Sequence, residues 1–297
     1  VKTHRNIKET AMKKIARVAA GSAVLLCLDG SSSRAGELES AWKSAKAFNV
    51  TESVLHDAGA GVFYVSNING GPLEKNKSGF ISKWNPDGSP AVLKWVDGLN
   101  APKGMGLRKG RLYVTDIDRL VEIDIERGIV LKRYPAPNAV FLNDIAVSPQ
   151  GTLFVSDMSA ENSVIYRFEG DTPVPWLRDP RIRQPNGLEF EDGFLWAGTF
   201  SGGGLFRVDP ETKTIRKFAE APPGIDGLAR DGAGGFFVSD WNGKISHVDS
   251  SGRVRTLLDN TSRKINAADI EYIPERNLLL VPTFFDHRVL AYRWKED

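Results

Sequence analysis

Six polar residues stand at the heads of similar apolar stretches, forty to fifty-one positions apart: Glu52, Lys103, Asn143, Asn186, Asp226 and Asp269. Four of them, Glu52, Asn143, Asn186 and Asp226, carry hard oxygen donors suited to Ca²⁺, Mg²⁺ or Mn²⁺, and oxygen-ligated Zn²⁺ is also compatible. Two carboxylates neutralise a dication, and two amide oxygens add donors without adding repulsion. A lone Asn or Asp at a strand start usually satisfies turn backbone, but four in register point to a ligand set for one divalent cation, Ca²⁺ first. Such an ion would polarise an ester carbonyl and lower the pKa of a bound water, so hydrolysis of a lactone or small ester is the expected chemistry. Asp226 is the candidate for proton removal. A ligating carboxylate is a weak base, however, so Asp269 or His287 is the alternative. Lys103 could anchor an anionic substrate group or pair with Asp116 or Asp144, and Phe200, Trp241 and Phe284 could wall the substrate or simply pack.

These side chains meet only if the chain repeats. A tetrad recurs thirteen to fifteen residues after each head, as Tyr64-Val-Ser-Asn67, Tyr113-Val-Thr-Asp116, Phe154-Val-Ser-Asp157, Trp196-Ala-Gly-Thr199, Phe237-Val-Ser-Asp240 and Leu280-Val-Pro-Thr283. Turn residues separate head from tetrad, as in Pro149-Gln-Gly151 and Glu191-Asp-Gly193, so each unit opens as a hairpin. Two further alternating runs follow. Four antiparallel strands per unit of about forty residues, six times over, predict an all-β six-bladed propeller. In that fold the heads ring one mouth of the central channel, and the tetrads' aromatic positions pack between blades. The last unit ends after three strands, so residues 42–48 are expected to supply its fourth and close the ring.

The first 35 residues read as a secretory leader: Lys13, Lys14 and Arg17 precede an apolar run over residues 18–28, too short for a membrane span, and small residues follow. The expected domains are therefore a leader over 1–35 and one propeller over 36–297, in a periplasmic or secreted protein. The leader holds seven Lys/Arg against two Asp/Glu, so the overall charge of +2 becomes −3 without it. That balance gives nucleic acid no electrostatic reason to bind. The single cysteine, Cys27, falls within the leader, which removes thiolate chemistry and disulfides from the remainder.

Phe141-Leu-Asn-Asp144, Pro185-Asn-Gly-Leu188, Ile225-Asp-Gly-Leu228 and the Glu52-Ser-Val start resemble the gluconolactonase and regucalcin (senescence marker protein) group, which is related to diisopropylfluorophosphatase. The resemblance spans roughly residues 50 to 294 and implies a calcium-dependent propeller hydrolase with Glu52, Asn186 and Asp226 as ligands. It implies that Asn143 contacts metal, water or substrate. Lys103 in the second ring position departs from the pattern, and His56, His247 and His287 offer no paraoxonase-type histidine pair. Two alternatives share this geometry. One is a non-catalytic propeller with a structural metal that binds a ligand or protein, and the other is a phosphotriesterase-like hydrolase.

Overall fold

The computed structural model describes residues 36–296, and the expected leader lies outside them. The described chain forms six four-stranded antiparallel sheets arranged as a propeller. Blade one comprises Thr51–Asp57, Val62–Asn67, Gly79–Trp84 and Pro90–Leu99; blade two Pro102–Arg108, Arg111–Asp116, Arg119–Asp124 and Ile129–Pro135; blade three Leu142–Val147, Leu153–Asp157, Val164–Glu169 and Thr172–Leu177. Blade four comprises Pro185–Glu191, Phe194–Thr199, Gly204–Val208 and Ile215–Glu220, and blade five Ile225–Arg230, Phe236–Asp240, Lys244–Val248 and Val254–Asp259. Blade six joins Glu271–Ile273, Leu278–Pro282 and Val289–Lys295 to an outer strand from the other end of the chain, Glu37–Lys43. Among the described residues no helix is long and apolar enough to cross a membrane.

The closing strand begins five residues earlier than residues 42–48. Glu37–Lys43 runs antiparallel to Val289–Lys295, with Trp42 opposite Ala291. Beyond it the chain turns inward: Ser44 N–H donates to the Val289 carbonyl at 2.9 Å, and its Oγ accepts from Val289 N–H at 3.0 Å. Phe48 then packs against Trp84 with ring centroids 4.4 Å apart. The segment from 44 to 48 is held by these few contacts and forms no ladder strand.

The tetrads' leading aromatics pack as expected. Tyr64, Phe154 and Phe237 are buried, and Phe237 lies between Tyr272 and Trp294 at 4.7 and 5.2 Å. Burying such a ring contributes roughly 1.5–3 kcal/mol over leaving it in water. Successive inner strands touch one another around the axis, and the first meets the last through a parallel bridge between Ser53 and Asp269.

In each of the first five blades, the pairing between inner and second strand slips at the same place. The slips fall between Thr51 and Val54, Pro102 and Met105, Leu142 and Ile145, Pro185 and Leu188, and Ile225 and Leu228. Every one contains a head residue. A bulge redirects the side chain it carries, and in blades one, three and five a serine of the blade's own tetrad fastens it. Ser53, Asp144 and Gly227 N–H groups donate to Ser66, Ser156 and Ser239 Oγ at 2.9, 2.9 and 2.6 Å. Glycine follows Asn186 and Asp226 because the next blade's backbone arrives there: a Cβ on Gly187 would lie 2.6 Å from the Asp226 carbonyl oxygen, and one on Gly227 2.3 Å from Ile270 nitrogen.

Candidate metal centre

The bulges bring Glu52, Lys103, Asn143, Asn186 and Asp226 to the floor of one cavity of about 340 Å³ at a mouth of the channel. All five are nearly fully buried, between 1% and 3% exposed. Asn186 Nδ2 donates to Asp226 Oδ1 at 2.8 Å, and Asn143 Nδ2 donates to Met158 Sδ at 2.9 Å. Those contacts leave the amide oxygens facing other ways. Glu52 Oε2, Asn143 Oδ1 and Asn186 Oδ1 are buried and accept no hydrogen bond within the described residues. Leaving one such acceptor unpaired costs about 1–3 kcal/mol, so three from three blades in one cavity make a cradle short of a positive partner. The donor set fits a hard divalent cation. Among the described residues no three His, Cys, Asp or Glu side chains form a metal cluster of their own, so the fit depends on the amide oxygens.

The electrostatics agree. Burial, then the Asp226 charge, pushes Glu52 well above the usual carboxylate range, with Lys103 acting the other way. Burial likewise pushes Asp226 up to about 7 and lowers Lys103 to about 8. Lys103 pairs with neither Asp116 nor Asp144. Its ammonium donates to the Pro72 and Ala101 carbonyls, each at 2.9 Å, and stands 4.9 Å from the Phe141 ring centre.

Phe200, Trp241 and Phe284 line this cavity together with Ile68, Phe141 and Met158, which the strand pattern did not single out as wall residues. Phe284 has a positive φ of 48°, uncommon for a bulky side chain. Reciprocal backbone hydrogen bonds with Thr51, the neighbour of Glu52, fix it.

Two proposed bases lie elsewhere. Asp269 bridges Ser53, one residue past Glu52, and its Oδ2 accepts from Ser53 Oγ at 2.6 Å. This sets Ala268 level with Glu52 in the ring, a one-residue offset that turns the Asp269 side chain away from the metal cavity and toward the next space along the channel. There it lines a second cavity of about 370 Å³ with Asp144, Glu189, Glu271, Arg230 and His56. His287 is outside both linings, and its Nδ1 accepts from Val50 N–H at 3.1 Å. His247 binds Asp231 Oδ2 at 2.8 Å beneath Trp294.

Solved structures share the architecture at low identity, which establishes fold alone. A streptogramin B lyase superposes with a TM-score of 0.64 at 12% identity, covering 88% of this chain and 98% of that one. A candidate gluconolactonase gives 0.63 at 18%, covering 88% and 92%. A catalytically inactive histidine-to-alanine variant of virginiamycin B lyase from Staphylococcus aureus, with quinupristin, gives 0.61 at 13%, covering 87% and 99%. No curated protein sequence matches the chain. The model of the SMP-30/gluconolactonase/LRE-like region matches residues 50–266, and the chain belongs to that family.

Proposed function

We propose that this chain is an exported, metal-dependent hydrolase of lactones or small esters. The observation that carries the reading is the convergence of three buried oxygens, on Glu52, Asn143 and Asn186, that lack a partner among the described residues, beside Asp226 in one cavity. These four residues would hold one divalent cation, Ca²⁺ first. When bound, the cation supplies Lewis acidity toward a carbonyl oxygen and toward water. The chain's own residues do the rest. The Asn186 amide holds Asp226 Oδ1 in place, so Oδ2 is the oxygen available to take a proton from water. Buried Lys103 gives two N–H groups to carbonyls and keeps a third, which can steady a carbonyl or carboxylate oxygen held at the floor. The apolar wall excludes bulk water, which strengthens each of these interactions. With Asp269 and His287 outside the cavity, Asp226 is left as the base.

Two observations bear on an elimination instead of hydrolysis. Two of the similar folds are named lyases, one of them inactive when a histidine is replaced. Among the described residues no histidine lines the cavity. A panel of lactones, aryl esters and one organophosphate, assayed with Ca²⁺, Mn²⁺ and Zn²⁺ in ¹⁸O-labelled water, separates the possibilities. The reading expects metal-stimulated turnover with one labelled oxygen in the product acid, abolished by Asp226→Ala. Unsaturated, unlabelled product would replace it with a lyase. Absence of turnover with every metal, together with an Asp226→Ala effect on thermal stability alone, would replace it with a binding propeller.

A further inference from the structure

Polar chemistry in the candidate centre is confined to its floor. The walls are formed by Ile68, Phe141, Met158, Phe200, Trp241 and Phe284, and the surface they present is overwhelmingly carbon. Trp241, Phe284 and Phe285 form a continuous aromatic face, with ring centroids 5.6 Å apart for Trp241 and Phe284 and 4.8 Å for Phe284 and Phe285. The apolar character continues outward. Phe285 is 58% exposed, and Leu73 and Val140, which adjoin the lining residues Pro72 and Phe141, are 47% and 40% exposed.

The floor has few hydrogen bonds to offer a polyhydroxylated guest. Asn143 and Asn186 each direct an amide donor to a protein atom, and Lys103 commits two N–H groups to carbonyls. The free oxygens are acceptors that a cation would occupy. Hydroxyls spread along a sugar ring would therefore lose water and meet carbon, at a cost each time. An alkyl or aryl substituent would gain from the same walls.

We propose that the substrates of this site are lactones carrying an apolar alkyl or aryl tail, not polyhydroxylated sugar lactones. The inference names the substrate class of the hydrolase reading and rests on it. The carbonyl end sits on the floor, and the tail runs along Phe200, Trp241 and Phe284 toward Phe285.

The test has a binding arm and a turnover arm, both with Ca²⁺-loaded mature protein. In the first, calorimetry compares γ-lactams, which resist hydrolysis, bearing alkyl tails of increasing length with a polyhydroxylated sugar lactam. Affinity should rise about threefold to fourfold per methylene until the cavity is filled, and the longer-tailed lactams should bind at least tenfold tighter than the sugar lactam. Phe285→Ser, at an exposed position that leaves the fold intact, should flatten that slope. Equal or tighter binding of the sugar lactam, or a flat slope in the parent protein, overturns the inference. In the second arm, kcat/KM is compared for alkyl γ-lactones and δ-gluconolactone. Preference for gluconolactone sinks the inference and leaves the hydrolase standing. Tail-dependent binding without turnover of any lactone sinks the hydrolase reading and leaves an apolar-ligand site.

Discussion

Asn186 Nδ2 donates to Asp226 Oδ1 at 2.8 Å across the boundary between blades four and five, and the same amide leaves its oxygen buried without a partner among the described residues. One hydrogen bond thus orients two prospective ligands together. Replacing Asn186 with Leu, similar in volume, removes both the strut and a donor oxygen. The expected outcome is at least a hundredfold loss of Ca²⁺ affinity by calorimetry with a melting temperature of the metal-free protein changed by a few degrees at most. An affinity unchanged by the substitution would remove Asn186 from the ligand set.

Glu52 separates metal binding from stability. In metal-free protein its carboxylate is buried near Asp226 and pushed up by burial, so Glu52→Gln should leave metal-free stability equal or slightly higher. Calcium at a hundred times its dissociation constant should stabilise the parent by about 2.7 kcal/mol and raise its melting point by roughly 5–10 °C. Glu52→Gln should lose that increment. Differential scanning calorimetry with and without Ca²⁺ reads both effects.

Asp269 is expected to be dispensable for turnover. Its carboxyl is pushed well above the usual range by burial and by the neighbouring acids Asp144, Glu52 and Asp226. A neutral amide can still accept from Ser53. Asp269→Asn should therefore hold kcat within about threefold, while Asp226→Asn should lower it by about a hundredfold or more, as expected for loss of a positioned base. Comparable losses in both variants would restore Asp269 as a catalytic residue.

The second cavity predicts a pH effect on stability. Burial pushes Glu189 from 4.5 up to about 7, against the pull of Arg230 and with Asp144 and Glu191 adding to the rise; Glu271 stands beside it, raised well above its usual range. A carboxyl raised in the folded state holds more protons there than in the unfolded chain between pH 4.5 and 7. Stability from this group is therefore full below that window, falls as pH rises through it, and is flat above it. The change is at most about 3 kcal/mol. In Ca²⁺-loaded protein, urea denaturation should show a shallower decline for Glu189→Gln than for the parent, and parallel curves would contradict the assignment.

Much of this was legible because a propeller repeats its physics. Tetrads such as Phe237-Val-Ser-Asp240 announce the second strand of a blade, and Asn186-Gly187 and Asp226-Gly227 mark heads pressed against the next blade. What escaped the sequence was local register. The bulges that turn each head toward the axis rest on hydrogen bonds to partners such as Ser66 and Ser239 in the adjacent strand, whose pairing register the residue types do not announce. The sixth blade, with Glu271–Ile273 as a three-residue inner strand and Pro282 in place of the fastening serine, keeps no such bulge. Ala268 therefore fills the ring position and Asp269 faces away, a slip that residue types alone disguise. His287 was near in sequence to a lining residue, Phe284, but its ring is tied to the Val50 backbone.

The central claim is that oxygens from four blades converge on one cation. Crystals grown with Ca²⁺ and then soaked with a lanthanide should give a single strong anomalous peak bounded by Glu52 Oε2, Asn143 Oδ1, Asn186 Oδ1 and an Asp226 carboxylate oxygen, at about 2.3–2.6 Å from each. A cavity floor without a peak, while metal is found at another place in the channel, would contradict the account.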